Sequence, residues 1–178
     1  MRENKGVTML VLVITIIILL IIAGISLSTG GTVIKRSKLE NLKTNMLLIK
    51  VKAKQYVENA NFKLGTNPTE EQKVARIEEA KKEFVGEQIL DNSIFQGNIN
   101  KTQKEIEQDS TNYIYYYKLS TQNLVDMGLS NVNSDDKNGW YIVRYNIINM
   151  EIEIYNTKGF ENEDNTYYSL SQIQDLKI

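Results

Sequence analysis

The side chains best suited to acid–base or nucleophilic chemistry near neutral pH are missing from this sequence. It contains no cysteine and no histidine, which excludes thiol nucleophiles, disulfides, thiolate metal sites and histidine general bases. Serine, aspartate, glutamate, lysine and tyrosine remain. No Gly-rich phosphate loop is present, and Ser-x-x-Lys or paired-carboxylate patterns stand in no supporting context. The sequence therefore predicts that the protein is not an enzyme and has no catalytic residue and no cofactor.

Two polar clusters are candidates for ligand binding. Asp135 and Asp136, with asparagines at 133 and 138, offer oxygen ligands to Ca²⁺, but the EF-hand spacing is absent and no metal site is predicted. Residues 113–117 hold four tyrosines in five positions, a content that could stack on bases or sugars. Lys118 is the only basic residue nearby, so packing within a sheet is favoured and no nucleic-acid partner is predicted.

Charge is distributed unevenly along the 178 residues, although the net charge is only −1. The first 54 residues hold nine basic and two acidic side chains, which gives +7 there and −8 in the remainder. A basic stem and an acidic head would attract each other between neighbouring copies, or the stem would contact anionic lipid. A solvated surface with uneven charge explains the same pattern.

Residues 7–29 are predicted to form a transmembrane helix. Val7 to Leu27 is apolar except for Thr8, Thr15, Gly24 and Ser26, and no charged residue occurs between Lys5 and Lys35. This run is long enough, since about 20 apolar residues cross a bilayer as a helix. The threonine hydroxyls can bond to carbonyls one turn earlier.

The apolar segment alone leaves other interpretations open. A cleaved secretory signal has a shorter apolar core, and a plain signal anchor needs nothing more than this helix. Arg2 and Lys5 favour a cytoplasmic N-terminus, whereas basic residues from Lys35 onward argue for the opposite orientation.

The stretch Lys5-Gly6-Val7-Thr8-Met9-Leu10-Val11 resembles the processing site of type IV prepilins and type II secretion pseudopilins. In that family a short charged leader ends in Gly, and a hydrophobic residue, Thr, two hydrophobic residues, Glu and an apolar helix follow. The resemblance implies that residues 1–6 are a leader, that a prepilin peptidase cleaves after Gly6, and that Val7 becomes the new, N-methylated terminus. Val11 replaces the usual Glu, which in the family pairs with the amine of a neighbouring subunit.

The resemblance also implies a function and its partners. The missing Glu is typical of minor subunits, so the expected role is that of a minor pilin or pseudopilin in a type IV pilus or a type II secretion-like filament. The expected partners are other pilins, the peptidase, a membrane assembly platform with its ATPase, and membrane lipid. The expected location is the cell membrane, with the N-terminus cytoplasmic and the head outside, or a surface filament. The alternative is a single-pass signal-anchor surface protein, adhesin or receptor-like, that is neither processed nor assembled.

Residues 30–64 are predicted to form an amphipathic stem helix. Its apolar residues recur three and four positions apart, a spacing typical of one helix face. That face predicts packing on the chain's own sheet, with a coiled coil as the alternative. Gly30 and Gly31 predict a hinge, a melted turn or a simple helix end, and the stem should end near Leu64-Gly65. The predicted packing residues are Leu39, Leu42, Met46, Ile49, Ala53, Tyr56 and, further along, Ala60.

Residues 65–178 are predicted to form an α+β head domain, which gives a pilin-like fold: one long N-terminal helix on a small antiparallel sheet, with short extra helices. A helix should begin at Thr69 with a Thr69–Gln72 capping box and bury Val74, Ile77 and Phe84 or Val85. Residues 96–112 are expected to be a loop, and residues 113–119 a strand. Ser120 to Leu129 should contain a short helix, and 130–139 a loop. Residues 140–147 and 150–155 should pair as a hairpin, followed by a turn at 157–159, a short strand at 167–168, and a tail or helix.

Overall fold

The computed structural model describes residues 5–66, 69–95, 99 and 101–177, and it describes no side chain within 5–11, 20–30 or at 70. Its helices and strands form an α+β fold around one five-stranded antiparallel sheet, in the strand order β1-β2-β3-β4-β5. The elements are α1 Lys5–Leu64, α2 Glu70–Lys81, β1 Glu87–Gln88, a 3₁₀ turn Ser93–Phe95, α3 Gln103–Thr111, β2 Ile114–Leu119, α4 Thr121–Asp126, β3 Tyr141–Asn146, β4 Glu151–Asn162, β5 Asn165–Ser169 and α5 Leu170–Gln174.

The first helix is continuous over 60 residues. A melted turn or a helix end at Gly30 and Gly31 is wrong, because the backbone of both residues is helical. Each glycine costs a helix about 1 kcal/mol relative to alanine, which long helical segments on both sides can outweigh through cooperativity. The predicted end is confirmed: α1 stops at Leu64, and Gly65 adopts φ 69°, the left-handed conformation that favours glycine after a helix.

Two units are distinguished by their internal contacts, residues 1–40 and residues 41–177. Among the residues that the structure describes, no helix is long and apolar enough to cross a membrane. The predicted membrane segment 7–29 falls largely on residues whose side chains lie outside the description.

The second helix begins at the predicted place but without the predicted capping box. Thr69 makes no side-chain capping hydrogen bond: the Gln72 backbone N–H donates to the Thr69 carbonyl oxygen at 3.0 Å, and the Gln72 side-chain oxygen accepts from Arg76 at 3.1 Å. The predicted burial of Val74 is also wrong, since this side chain is 70% exposed. Ala80 and Phe84 are the buried residues of this segment.

A helix that the sequence reading missed lies inside the predicted loop 96–112. Thr102 caps α3 in a full capping box with Glu105, and Ile106 is its buried apolar residue. The expected loop is therefore wrong over Gln103–Thr111, while residues 96–98 and 100 lie outside the described part of the chain.

The central sheet is covered on both faces, which explains why three consecutive tyrosines, Tyr115 to Tyr117, are all buried. On one face, Phe95, Ile106, Ile114, Tyr116 and Ile142 form a cluster with α3 and the 3₁₀ turn. On the other face, Tyr117 and Tyr145 meet Phe84, whose ring stacks on Tyr145 with centroids 4.0 Å apart. The predicted strand at 113–119 and the hairpin of β3 with β4 are confirmed.

The fourth strand runs past the turn predicted at residues 157–159, and this prediction is wrong. β4 continues to Asn162 with a register irregularity between Tyr155 and Phe160. Buried Asn156 accepts hydrogen bonds from the N–H groups of Lys158 and Gly159, both at 3.0 Å, which holds the irregularity inside the strand. The short last strand is confirmed as β5, and a helix, α5, follows it.

Candidate assembly surfaces

The residues of the prepilin-like motif lie at the start of α1. Gly6, Val7 and Val11 are helical in their backbone, and their side chains are outside the described part of the structure. Residues 1–4 of the expected leader are not described at all. Thr15 does bond back by one turn, donating to the Leu12 carbonyl oxygen at 2.8 Å.

The apolar stripe of α1 is buried along one face of the helix. Leu39, Met46, Ile49, Ala53 and Ala60 are buried, and Leu42 and Tyr56 are half-buried. Val57 and Leu64 are also buried; the sequence reading passed over Val57 because it stands next to Tyr56 in the same helical turn. These residues are buried in a single copy of the chain. From Met46 onward, the stripe therefore packs against the chain's own head domain.

Hydrogen bonds fix the second half of α1 to the turn between β3 and β4. Asn61 donates to the Ile147 carbonyl oxygen at 2.8 Å, and Lys54 donates to that of Met150 at 2.9 Å. At the other end of β3, a side-chain hydrogen bond from Asn45 reaches Tyr141. The stem and the sheet are therefore joined at both ends of β3 by polar contacts as well as by the buried stripe.

Apolar side chains that this packing does not use face outward along the same helix. Leu47 and Leu48 are each 44% exposed, Val51 is 70% exposed and Phe62 is 84% exposed. Single exposed apolar residues are ordinary, but Leu47, Leu48 and Val51 fall within one helical turn. This part of α1 is a candidate contact surface.

A groove of about 550 Å³ lies beside this surface. Its helix wall is formed by Lys50, Val51 and Lys54. Its other wall is formed by Met150 of the preceding turn, Glu151 to Glu153 of β4, and Arg144 of β3. The sequence reading did not find this groove, because the two walls are about a hundred residues apart in the chain.

Comparison of the chain with protein-family models, with curated proteins and with solved structures finds no match.

The tyrosine-rich strand is part of the core rather than a binding surface. Burial raises the pKa of Tyr115 to about 12 and also raises the pKa of Tyr116 and of Tyr117. Tyr116 donates to the Asp109 carboxylate, which also lies 3.0 Å from the Lys101 ammonium. No ring of this strand is free to stack on a base, so the structure agrees with the packing interpretation.

The hydroxyl of Tyr145 is the one buried side-chain polar atom in the described residues that lacks a hydrogen-bond partner. Desolvation raises its pKa, and the neighbouring Tyr56 and Tyr117 add to the shift. An unpartnered buried hydroxyl costs stability, so the contacts of the Tyr145 ring with Phe84 and Tyr117, and not its hydroxyl group, hold this side chain in place.

The acidic loop uses its oxygen atoms for its own turns. Asp135 accepts from the backbone N–H of Asn138 at 2.7 Å, and this bond lowers the pKa of Asp135. Asp136 accepts from the indole N–H of Trp140 at 2.8 Å. Among the described residues, no group of three or more acidic, His or Cys side chains is arranged to hold a metal ion.

Proposed function

We propose that this chain is a minor pilin or pseudopilin, a structural subunit of a type IV pilus or type II secretion-like filament. The observation that supports the proposal best is one uninterrupted helix. It begins beside the Lys5-Gly6-Val7-Thr8 motif and ends on a five-stranded antiparallel sheet. The α+β head on a long N-terminal helix is the arrangement that the resemblance implies.

The proposal assigns the two halves of α1 different tasks. The apolar run from Val7 to Leu27 would stand in the membrane before assembly and against the helices of other subunits afterward. The second half, through its buried face, holds the head domain. A peptidase acting after Gly6 would remove the charged leader that keeps the helix at the cytoplasmic surface.

Val11 is the reason to propose a minor subunit. A carboxylate in an apolar environment is costly unless it is paired, and this cost allows such a residue to set the register between neighbouring subunits. Val11 offers no such pair. A subunit of this kind would enter a filament in small numbers or at one end.

The N-terminal peptide of protein sheared from the cell surface tests the proposal. We expect a peptide that begins at Val7, and a Gly6→Phe variant should keep its leader and remain in the membrane fraction. Gly31→Phe is the matched control: it changes a glycine of the same helix where an added Cβ meets nothing within 4 Å. This variant should be processed normally.

The opposite result would support the alternative function. A peptide that begins at Met1, found only in membranes and unchanged by Gly6→Phe, would contradict the pilin proposal. The chain would then be a permanent signal-anchor protein whose head acts at the membrane surface.

A further inference from the structure

The groove between α1 and β4 follows the edge of the sheet. Alternate residues of a strand point to opposite faces, so a groove on one face would contact every second residue. This groove contacts Met150, Glu151, Ile152 and Glu153 in succession. β5 pairs with β4 only from Tyr155 onward, which leaves the outer edge of residues 151–154 without a strand partner among the described residues.

Three basic side chains line the groove, and Lys50 is the least engaged of them. Within the described structure Lys50 makes no hydrogen bond or ion pair, and it lies on the helix wall next to Val51. Lys54 is half exposed: its ammonium donates to the Met150 carbonyl oxygen at 2.9 Å and stands 3.7 Å from Glu58, a distance typical of a weak surface pair. Arg144 of β3 is the third cation of the lining, and its side chain also forms a hydrogen bond with Tyr116. These cations outnumber the two carboxylates of the groove, Glu151 and Glu153.

An acidic projection stands at the other end of the same strand. Asn162 pairs with Asn165, so Glu163 and Asp164 form the tip of the hairpin between β4 and β5. Both are exposed, as is Glu161, and none of the three makes an ion pair in the described structure. Glu163 adopts φ 54°, a conformation for which such tips favour Asn or Gly. The acidic tip, residues 161–164, thus presents charge where a neutral turn would be easier to form.

We propose that the acidic tip of one copy docks into the β4-edge groove of a second copy. Lys50 and Lys54 would receive the carboxylates of Glu163 and Asp164, while Val51 and Met150 would cover the aliphatic parts of these side chains. This inference rests on the proposed function and extends it, because it names the head-to-head contact of the subunits.

The distance between the groove and the tip determines which kind of assembly the contact can form. Glu153 and Asn162 are nine positions apart, which at about 3.3 Å per residue places groove and tip roughly 30 Å apart along the strand. A chain cannot therefore fill its own groove with its own tip. Two different surfaces joined in this way make a heterologous contact, which extends into an open chain of subunits unless its rotation closes a ring.

Charge reversal tests the contact in the full chain held in detergent. We expect the sedimenting mass to rise with protein concentration and to fall as salt is added, since exposed ion pairs are screened. A groove variant, Lys50→Glu with Lys54→Glu, and a tip variant, Glu163→Lys with Asp164→Lys, should each associate about tenfold more weakly or not at all. A control variant, Lys104→Glu with Lys137→Glu, has the same change in net charge as the groove variant and should behave as the parent chain.

Mixing the two variants separates a heterologous contact from other kinds. The groove variant keeps its acidic tip, which fits the unchanged groove of the tip variant, and its reversed groove is complementary to the reversed tip of the tip variant. An equimolar mixture should therefore recover the association that each variant alone has lost. A carbodiimide that joins lysine to carboxylate should link Lys50 or Lys54 of one copy to Glu163 or Asp164 of the other. Unchanged association of both variants, or cross-links confined to other residues, would overturn the proposal. Loss of binding to anionic vesicles in the groove variant, with self-association intact, would assign the groove to lipid instead.

The result is independent of the test of processing. If the N-terminal peptide begins at Val7 while the charge-reversed variants associate normally, the pilin proposal stands and this contact is wrong. If the peptide begins at Met1 while the mixture recovers association, the contact stands and the pilin proposal is wrong.

Discussion

Asn156 holds together the part of the sheet that leads to the acidic tip, and we expect its replacement by alanine to destabilise the head domain. Its side-chain oxygen accepts from the N–H groups of Lys158 and Gly159, both at 3.0 Å. Its amide group donates to the Gly139 carbonyl oxygen at 3.3 Å. The side chain is only 1% exposed, so water replaces these contacts poorly when they are removed.

The expected loss follows from the number and burial of these bonds. Each hydrogen bond contributes about 0.5–1.5 kcal/mol net, and a buried carbonyl left without its donor adds to the cost. Three bonds lost together predict a decrease in the free energy of unfolding of about 3 kcal/mol for Asn156→Ala. For a domain of this size that decrease corresponds to a fall in Tm of roughly 6–12 °C.

The single tryptophan makes this prediction easy to measure. Trp140 is joined to the same region, since its backbone N–H donates to Thr157 at 2.8 Å and its carbonyl oxygen accepts from the Thr157 N–H at 3.0 Å. Thermal unfolding followed by its fluorescence reports the head domain directly. Asn133→Ala is the control, because this asparagine is exposed and makes no hydrogen bond in the described structure.

Equal midpoints for the Asn156→Ala and Asn133→Ala variants would refute the reasoning. Such a result would mean that the Lys158 and Gly159 N–H groups find other acceptors, and that the strand irregularity does not depend on Asn156.

Three further predictions concern other parts of the head. Burial raises the pKa of Tyr115 and of Tyr155 to about 12, so above pH 10 the unfolded chain releases phenol protons that the native state keeps, and stability should fall between about pH 10 and 12. Absorbance at alkaline pH should show these rings ionising at a higher pH in the folded chain than in denaturant. Thr102→Ala should cost about 1 kcal/mol by chemical denaturation through loss of the capping box, whereas Thr69→Ala should cost little because Thr69 makes no capping bond. Gly86→Ala should cost about 2 kcal/mol or more, since Gly86 has φ 105° and an added Cβ would lie 2.5 Å from the Lys118 carbonyl oxygen, and circular dichroism melts should detect it.

Local sequence patterns were sufficient to predict the helices and strands whose buried residues recur with a regular period. The stripe through Met46, Ile49 and Ala53 predicted a buried helix face, and the alternation in 140–147 predicted β3 with its partner β4. In both cases the buried side chains recur with the period of the element itself. The sequence reading missed α3 because only Ile106 of that helix is buried, so no stripe marks it. Its Thr102–Glu105 capping box was present in the sequence and was the signal that could have found it.

Tertiary contacts account for the remaining errors. Thr157-Lys158-Gly159 has the composition of a turn, yet the side chain of Asn156 captures the N–H groups that a turn would expose. β1 is two residues long and exists only because Glu87 and Gln88 pair with β2 about thirty residues later. The groove is a more extreme case, since the bond from Lys54 to Met150 spans 96 positions. No spacing rule in a sequence brings such residues together before the sheet order is known.

The absence of a carboxylate at position 11 and the charge pattern of the head bear on the same question, which is how copies of this chain would find their register. Within the resemblance, a buried ion pair near the N-terminus sets that register, and Val11 removes it. A helix that is apolar around its whole circumference can slide along its neighbours at little cost, because apolar packing is not directional. Charged contacts do select one alignment, since like charges brought together are penalised. If the tip docks into the groove as proposed, the contact of Glu163 and Asp164 with Lys50 and Lys54 selects one alignment of neighbouring copies. Charge reversal at these residues should leave processing intact while the copies lose their alignment.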